Sequence, residues 1–206
     1  MSLTRLATRS RVGRSRDGQR GQGMIEFAII VPVFLLLLMG MLEFGFVFTH
    51  NLSLEYATRE GARVASTLSD GGSGATAATC TAIDQDIIDA VTKVLKSPGS
   101  PILGYPNSVA WIKIWKADAS GNPVAGTINT WLNKNDGSLT FNPPASPVWP
   151  CTSRNAIPPS DSIGVSLSYT YTMVTPLGAI EKFFGPAGPA TLLMTDKTVM
   201  SLNPTN

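Results

Sequence analysis

From Met24 to Phe48 the chain runs through 25 positions of which only Glu26 and Glu43 are charged. At 1.5 Å per residue this run makes a helix of roughly 37 Å, enough to cross a hydrocarbon core of about 30 Å. Pro32 falls inside it and removes one backbone donor, so a modest kink is expected. Beyond Phe48 the pattern stays helical but turns amphipathic. Leu52, Tyr56, Arg59 and Arg63 lie about one turn apart, and Glu55 precedes Arg59 by four residues, the favourable order for a helical ion pair. One helix from about Gly23 to Leu68 is therefore expected. "SDGGSGATAATC" breaks it with three glycines and reads as a linker. A second helix over Thr81 to Lys96 would put Ile83, Ile87, Ala90, Val91 and Val94 on one face, with "SPGSP" as its stop.

After that the period drops to two. "SVAWIKIWKAD", "SIGVSLSYTYTMVTP" and "TLLMTDKTVMSL" are rich in β-branched and aromatic residues and read as strands, and "SGNP" reads as a turn. The proline-rich stretch from Gly126 to Pro159 reads as a long ordered loop with a short helix around "TINTWLNK". The fold class is thus α+β: a long N-terminal helix, then a helix packed on a small antiparallel sheet of three or four strands. Ser and Thr alternate with apolar residues in "DSIGVSLSYTYTMV", which predicts a sheet with one wet face.

Charge decides what the apolar run is for. Six of the 16 Lys and Arg residues are Arg5, Arg9, Arg11, Arg14, Arg16 and Arg20, ahead of the run. A basic arm suits nucleic acid or a membrane signal, and arginines directly before an apolar span are more often the latter, so no nucleic-acid partner is expected. By the positive-inside rule the N-terminus lies in the cytoplasm and most of the chain lies outside. A cleaved secretory signal has a core of about 7–15 apolar residues, shorter than this one, so the segment should persist as an anchor in the lipid bilayer. The expected organisation is a basic leader over 1–21, a transmembrane helix over 22–48, its extracytoplasmic continuation over 49–69, a Gly-rich linker over 70–79 and an α+β domain over 80–206.

Candidate chemistry is sparse. Cys80 and Cys151 both fall outside the cytoplasm, where disulfides persist. Joining them closes a loop of about 70 residues, worth on the order of 4 kcal/mol in the chain-entropy model. Metal binding is the rival reading, but two cysteines without companion histidines fall short of a zinc ligand set. His50 is the only histidine. Its place at the end of the apolar run suggests a side chain facing lipid headgroups or water, and no Ser-His-Asp or Cys-His arrangement can be built in the outer domain. Asp84, Asp86 and Asp89 read as a solvated helix start. Trp111, Trp115, Trp131 and Trp149 suit core and loop packing better than a ligand surface. No cofactor and no enzymatic activity are expected.

An isolated carboxylate in an apolar segment is costly unless it reaches water, a partner charge or a helix terminus. Glu26 could snorkel at the helix start, favoured by the N-terminal dipole. Its surroundings suggest more. Gly21, Gln22, Gly23, Met24, Ile25, Glu26 and Phe27 resemble the processing site of type IV-like prepilins, which a membrane peptidase cuts after a glycine to leave glutamate as the fifth mature residue. The longer stretch "GQGMIEFAIIVPVFLLLLMGMLEFGFVFTHNLSLEYATREGARVAS" resembles the TadE-like family, pseudopilins of the tight-adherence (Flp) pilus. Glu26-Phe27, Pro32, Glu43-Phe44-Gly45 and the run from Ala57 to Arg63 carry the resemblance. Glu43 stands where aspartate is commoner, and Thr58 replaces a frequent alanine.

The resemblance implies a minor pseudopilin that acts in pilus assembly and cell adhesion, and is cut between Gly21 and Gln22 by a prepilin peptidase. Its other partners would be pilin subunits and the assembly platform. Cutting removes all six leader arginines and creates an α-amine at Gln22, which Glu26 of a neighbouring chain could neutralise. Glu43 lies about 100° around the helix from Glu26, so it should snorkel outward or meet another helix near Gly40 and Gly45, where small residues permit close approach. The alternative is a permanently anchored extracytoplasmic module that binds cell-wall polymer or a partner protein.

Overall fold

The computed structural model describes residues 17–68, 74–176, 178 and 191–203, with the side chains of 17–20 excepted. The basic leader up to Arg16 and the first part of the expected linker lie outside the described residues. Two helices and five strands follow in order: α1 Asp17–Leu68, α2 Ala77–Leu95, β1 Val109–Ala117, β2 Pro123–Asn133, β3 Phe141–Asn142, β4 Ser162–Thr172 and β5 Thr191–Ser201. Short 3-10 turns lie at Pro101–Gly104, Pro106–Ser108 and Cys151–Ser153. The layout is α+β. The chain divides into two compact units, Met1–Met41 and Leu42–Asn206, with the boundary inside α1.

The first unit is helical from Asp17, earlier than the expected start near Gly23, with Pro32 inside α1. Its apolar side chains face outward. Phe27 is 68% exposed and Met41 77% exposed.

In the second unit the strands order β3-β2-β1-β4-β5, every neighbouring pair antiparallel. The sheet thus has five strands rather than three or four. The additional ones come from the stretch expected to be loop: "TINTWLN" is the second half of β2, not a helix. β1 recruits it through a tight turn in which Asp118 accepts hydrogen bonds from the amides of Ser120 and Asn122, both at 2.8 Å. Gly121 supplies the positive φ that this turn requires.

The part of α1 after Met41 and α2 share one core with a sheet face that carries Ile112, Ile114, Val165 and Leu167. The buried stripe of α1 is Leu54, Ala57, Thr58, Ala62 and Ala65, while Tyr56, Arg59 and Arg63 are exposed. The face read from Leu52, Tyr56, Arg59 and Arg63 is therefore mostly the wet one. Gly61 shows why small residues dominate the buried stripe. A Cβ there would press into the Val91 side chain of α2 and come within 3.3 Å of Val165 on β4.

Thr76 caps α2 by accepting the Thr79 amide. The buried side of α2 includes Asp84, Ile87, Ile88, Val91 and Leu95, rotated somewhat from the expected face. β4 is buried on both faces, against the expectation of one wet side. Gly164, Ser166 and Ser168 stand opposite Trp115, Lys113 and Trp111 on β1, and the Trp115 indole lies against Gly164. The large neighbours cover the small residues without a third layer.

Candidate functional site

At the start of the apolar run Gln22 donates its side-chain amide to Glu26 Oε1 at 3.2 Å, on an exposed face of α1. Phe27 beside them is exposed as well. Gly21, Gly23, Gly40 and Gly45 each have no non-local heavy atom within 4 Å of the point where a Cβ would sit. Within one chain these small residues touch nothing, so they leave the helix surface open for close approach. All the residues from Gly21 to Phe27 are exposed. α1 contains a run long and apolar enough to cross a membrane, none of whose most apolar window is buried.

Glu43 departs from expectation. It neither snorkels nor awaits another helix, because it is 5% exposed and held by the domain that follows it in the chain. The Tyr171 hydroxyl at the end of β4 donates to Glu43 Oε1 at 2.5 Å, and the Val174 amide donates to the same oxygen at 3.1 Å. The Thr175 amide donates to Oε2 at 2.9 Å. Three donors from one strand end supply the solvation that the carboxylate would otherwise need from water. Burial, helped by the hydrogen bond to Glu43, pushes the Tyr171 phenol well above its ordinary range and keeps it a donor.

One to two turns on, His50 is also buried and does not face headgroups or water. Its Nδ1–H donates to the Phe46 carbonyl at 2.8 Å, and its ring stacks on Tyr169 and meets Tyr171 edge-on. Burial pushes the Tyr169 hydroxyl up to about 12. Further along, the Thr58 hydroxyl donates to Asp196 and lies 3.0 Å from the Thr198 hydroxyl, both on β5. Glu43, His50 and Thr58 thus form a polar seam that fastens the helix to β4 and β5. None of their partners, Tyr171, Val174, Thr175, Asp196 or Thr198, was identified from the sequence. Their only signal there was alternation in "SYTYT" and "TDKT", which speaks of strands and not of partners.

A second polar cluster braces the far side of the domain. Cys80 and Cys151 are joined, which ties α2 to the 3-10 turn at Cys151–Ser153. Beside them Asp84 is no solvated helix start, since it is buried and bonded to Arg154 Nη2 at 2.6 Å. Asn129 on β2 donates to the other Asp84 oxygen at 3.1 Å and accepts the Val148 and Trp149 amides. Burial pushes the Asp84 carboxyl up, and Arg154 and Asn129 pull it back. Asp86 and Asp89 are exposed as expected. Trp115, Trp131 and Trp149 are all at most 3% exposed and belong to packing. Among the described residues no group of three or more His, Cys, Asp or Glu could hold a metal ion.

Residues 21–63 match a family model described as TadE-like protein. The match covers Gly21 to Phe27, Glu43 and Gly61, and stops short of α2 and the sheet. Over this segment, about a fifth of its length, the chain is similar to that family. No curated protein and no solved structure matches the chain.

Proposed function

We propose, from the TadE-like character of residues 21–63, that the chain is a minor pseudopilin acting in assembly of a tight-adherence type IV pilus. The observation that carries this reading is the association of that match with an apolar stretch of helix, up to Met41, whose side chains face outward and whose exposed carboxylate, Glu26, sits near its start. The chain sits in the cytoplasmic membrane with its N-terminus inside and its α+β domain outside. The Cys80–Cys151 bond agrees with that side, because disulfides persist in oxidising compartments. In this role the chain is no enzyme. It is the substrate of a prepilin peptidase and a partner of pilin subunits and of the assembly platform.

Cleavage falls between Gly21 and Gln22. Both residues are helical, and a peptidase needs an extended strand, so the helix start must unwind. Gly21 and Gly23 lower that cost, since each glycine weakens a helix by about 1 kcal/mol relative to alanine. The new α-amine on Gln22 lies one turn from Glu26, which already reaches the Gln22 side chain. In a bundle, Glu26 of one subunit neutralises the amine of its neighbour, so two groups costly in lipid become one pair. Mass spectrometry of the protein from cells that contain the peptidase tests this. A mature chain beginning at Gln22 is expected, and Gly21→Ala should retain the leader. An intact leader on the wild-type chain sinks the proposal and leaves a permanently anchored binding module. What favours that second reading is a groove on the sheet beside Trp111, Lys113, Ser166 and Lys197. A ligand screen on the full chain, read by tryptophan fluorescence, would decide it.

A further inference from the structure

We infer that the end of the sheet beside Glu43 is a lipid-seated surface, whose apolar side chains enter the headgroup layer. This rests on the anchoring reading above. Residues 22–41 already rise roughly 30 Å, the thickness of the hydrocarbon core. Phe44 to Phe48 then fall at headgroup level, and Phe44 and Phe48 are 72% and 54% exposed. The sheet adds side chains of the same kind that belong to no transmembrane helix. Val174, just past β4, is 58% exposed, and Leu193 at the start of β5 is 68% exposed. A groove lined by Phe44, Phe48, Leu192 and Leu193 joins helix and strand into one apolar surface.

The polar groups there fit the same medium. Across residues 41–49, 171–176 and 191–195, Glu43 is the only charged residue. Its carboxylate is turned inward onto Tyr171, Val174 and Thr175. Among the described residues at this end, a surface facing water has no need to hide its one charge and expose its leucines, whereas a surface facing acyl chains requires both. Seating of this kind sinks apolar side chains about 5–10 Å into the headgroup–acyl boundary.

The test uses the full chain in vesicles of phosphatidylcholine and phosphatidylglycerol, with a nitroxide attached at Leu193→Cys or, as a second site, Val174→Cys. The native cysteines are joined and do not label. Ile157→Cys, on the loop before β4 and so toward the opposite end of that strand, is the aqueous control, and Phe34→Cys reports the span. The expected result is greater relaxation by oxygen than by a water-soluble nickel chelate at 193 and 174, with the reverse at 157. If 193 and 174 behave like 157 while 34 is lipid-exposed, the seat is wrong and the anchor stands. If 34 is aqueous as well, the anchoring reading fails with it. Protection of 193 and 174 from both reagents would mean protein covers the patch, in a second copy for instance, and would also overturn the proposal.

Discussion

Before Met41, α1 turns Phe27, Ile30, Phe34 and Leu37 outward with more than half of each exposed, while after it Leu54, Ala57, Ala62 and Ala65 on the same helix are wholly buried. The more apolar stretch is the exposed one. Burial within the protein goes instead to the stretch where small residues alternate with charges, because a helix can approach a sheet and a second helix closely only where its side chains are short. The two carboxylates divide the same way. Glu26 is bonded only to its own helix, whereas Glu43 is enclosed by donors from residues 171–175. The first half leaves its surface uncovered within the chain, and the second has its surface covered by the domain.

Paired substitutions on the two halves sharpen that contrast, with thermal or denaturant unfolding of the domain in detergent as the readout. The largest gap is expected between Leu54→Ala and Leu37→Ala. Leu54 is wholly buried, and truncating such a leucine costs about 2–5 kcal/mol, whereas Leu37→Ala should leave the domain transition in place. Equal effects would mean that the boundary near Met41 is not real. Next comes Glu43→Ala against Glu26→Ala. The first leaves the Tyr171 hydroxyl and two amides without their acceptor, at about 1–3 kcal/mol, and the second should alter processing only. Gly61→Ala against Gly40→Ala follows. Overpacking against Val91 costs about 1–3 kcal/mol, and the alanine at 40 meets open space.

The smallest effect lies off the helix and calibrates the others. Asp136 accepts from the Ser138 hydroxyl and amide and from Thr140, which holds its carboxyl down at about 2. A depressed carboxylate contributes stability above its unfolded value of 3.8, and that contribution fades as pH falls toward about 2. Carboxyl NMR should follow this titration, and Asp136→Asn should remove it while leaving the core transition nearly unchanged at neutral pH.

The apolar span, the two helices, three of the five strands and the cysteine pairing were legible because each leaves a local or countable mark. β2 was not, since Gly126, Asn129 and Asn133 look like loop residues until their partners appear. Asn129 is buried in order to bind Asp84 and the 148–149 backbone, and Asn133 to bind the carbonyls of Pro106 and Val109. Asp84 and Glu43 were misread for a related reason. Arg154 is 70 residues from Asp84, and Tyr171 is 128 from Glu43, and no period or spacing announces a contact at that separation. Glu43 and Thr58, both inside the matched segment, contact β4 and β5 respectively. The shared segment is fitted there to a domain that the family match does not cover.

The polar seam also sets an order of events. Thr58 waits for Asp196 across 138 residues, so a helix made early in synthesis is fastened by a strand made late. Until β5 has been made and paired with β4, the buried face of α1 has no cover on that side, and closing so long a loop is slow. Limited proteolysis of stalled chains should find residues 42–68 protected only once β5 has been made. An unfinished chain would carry an unclad helix of the kind that chaperones and proteases recognise.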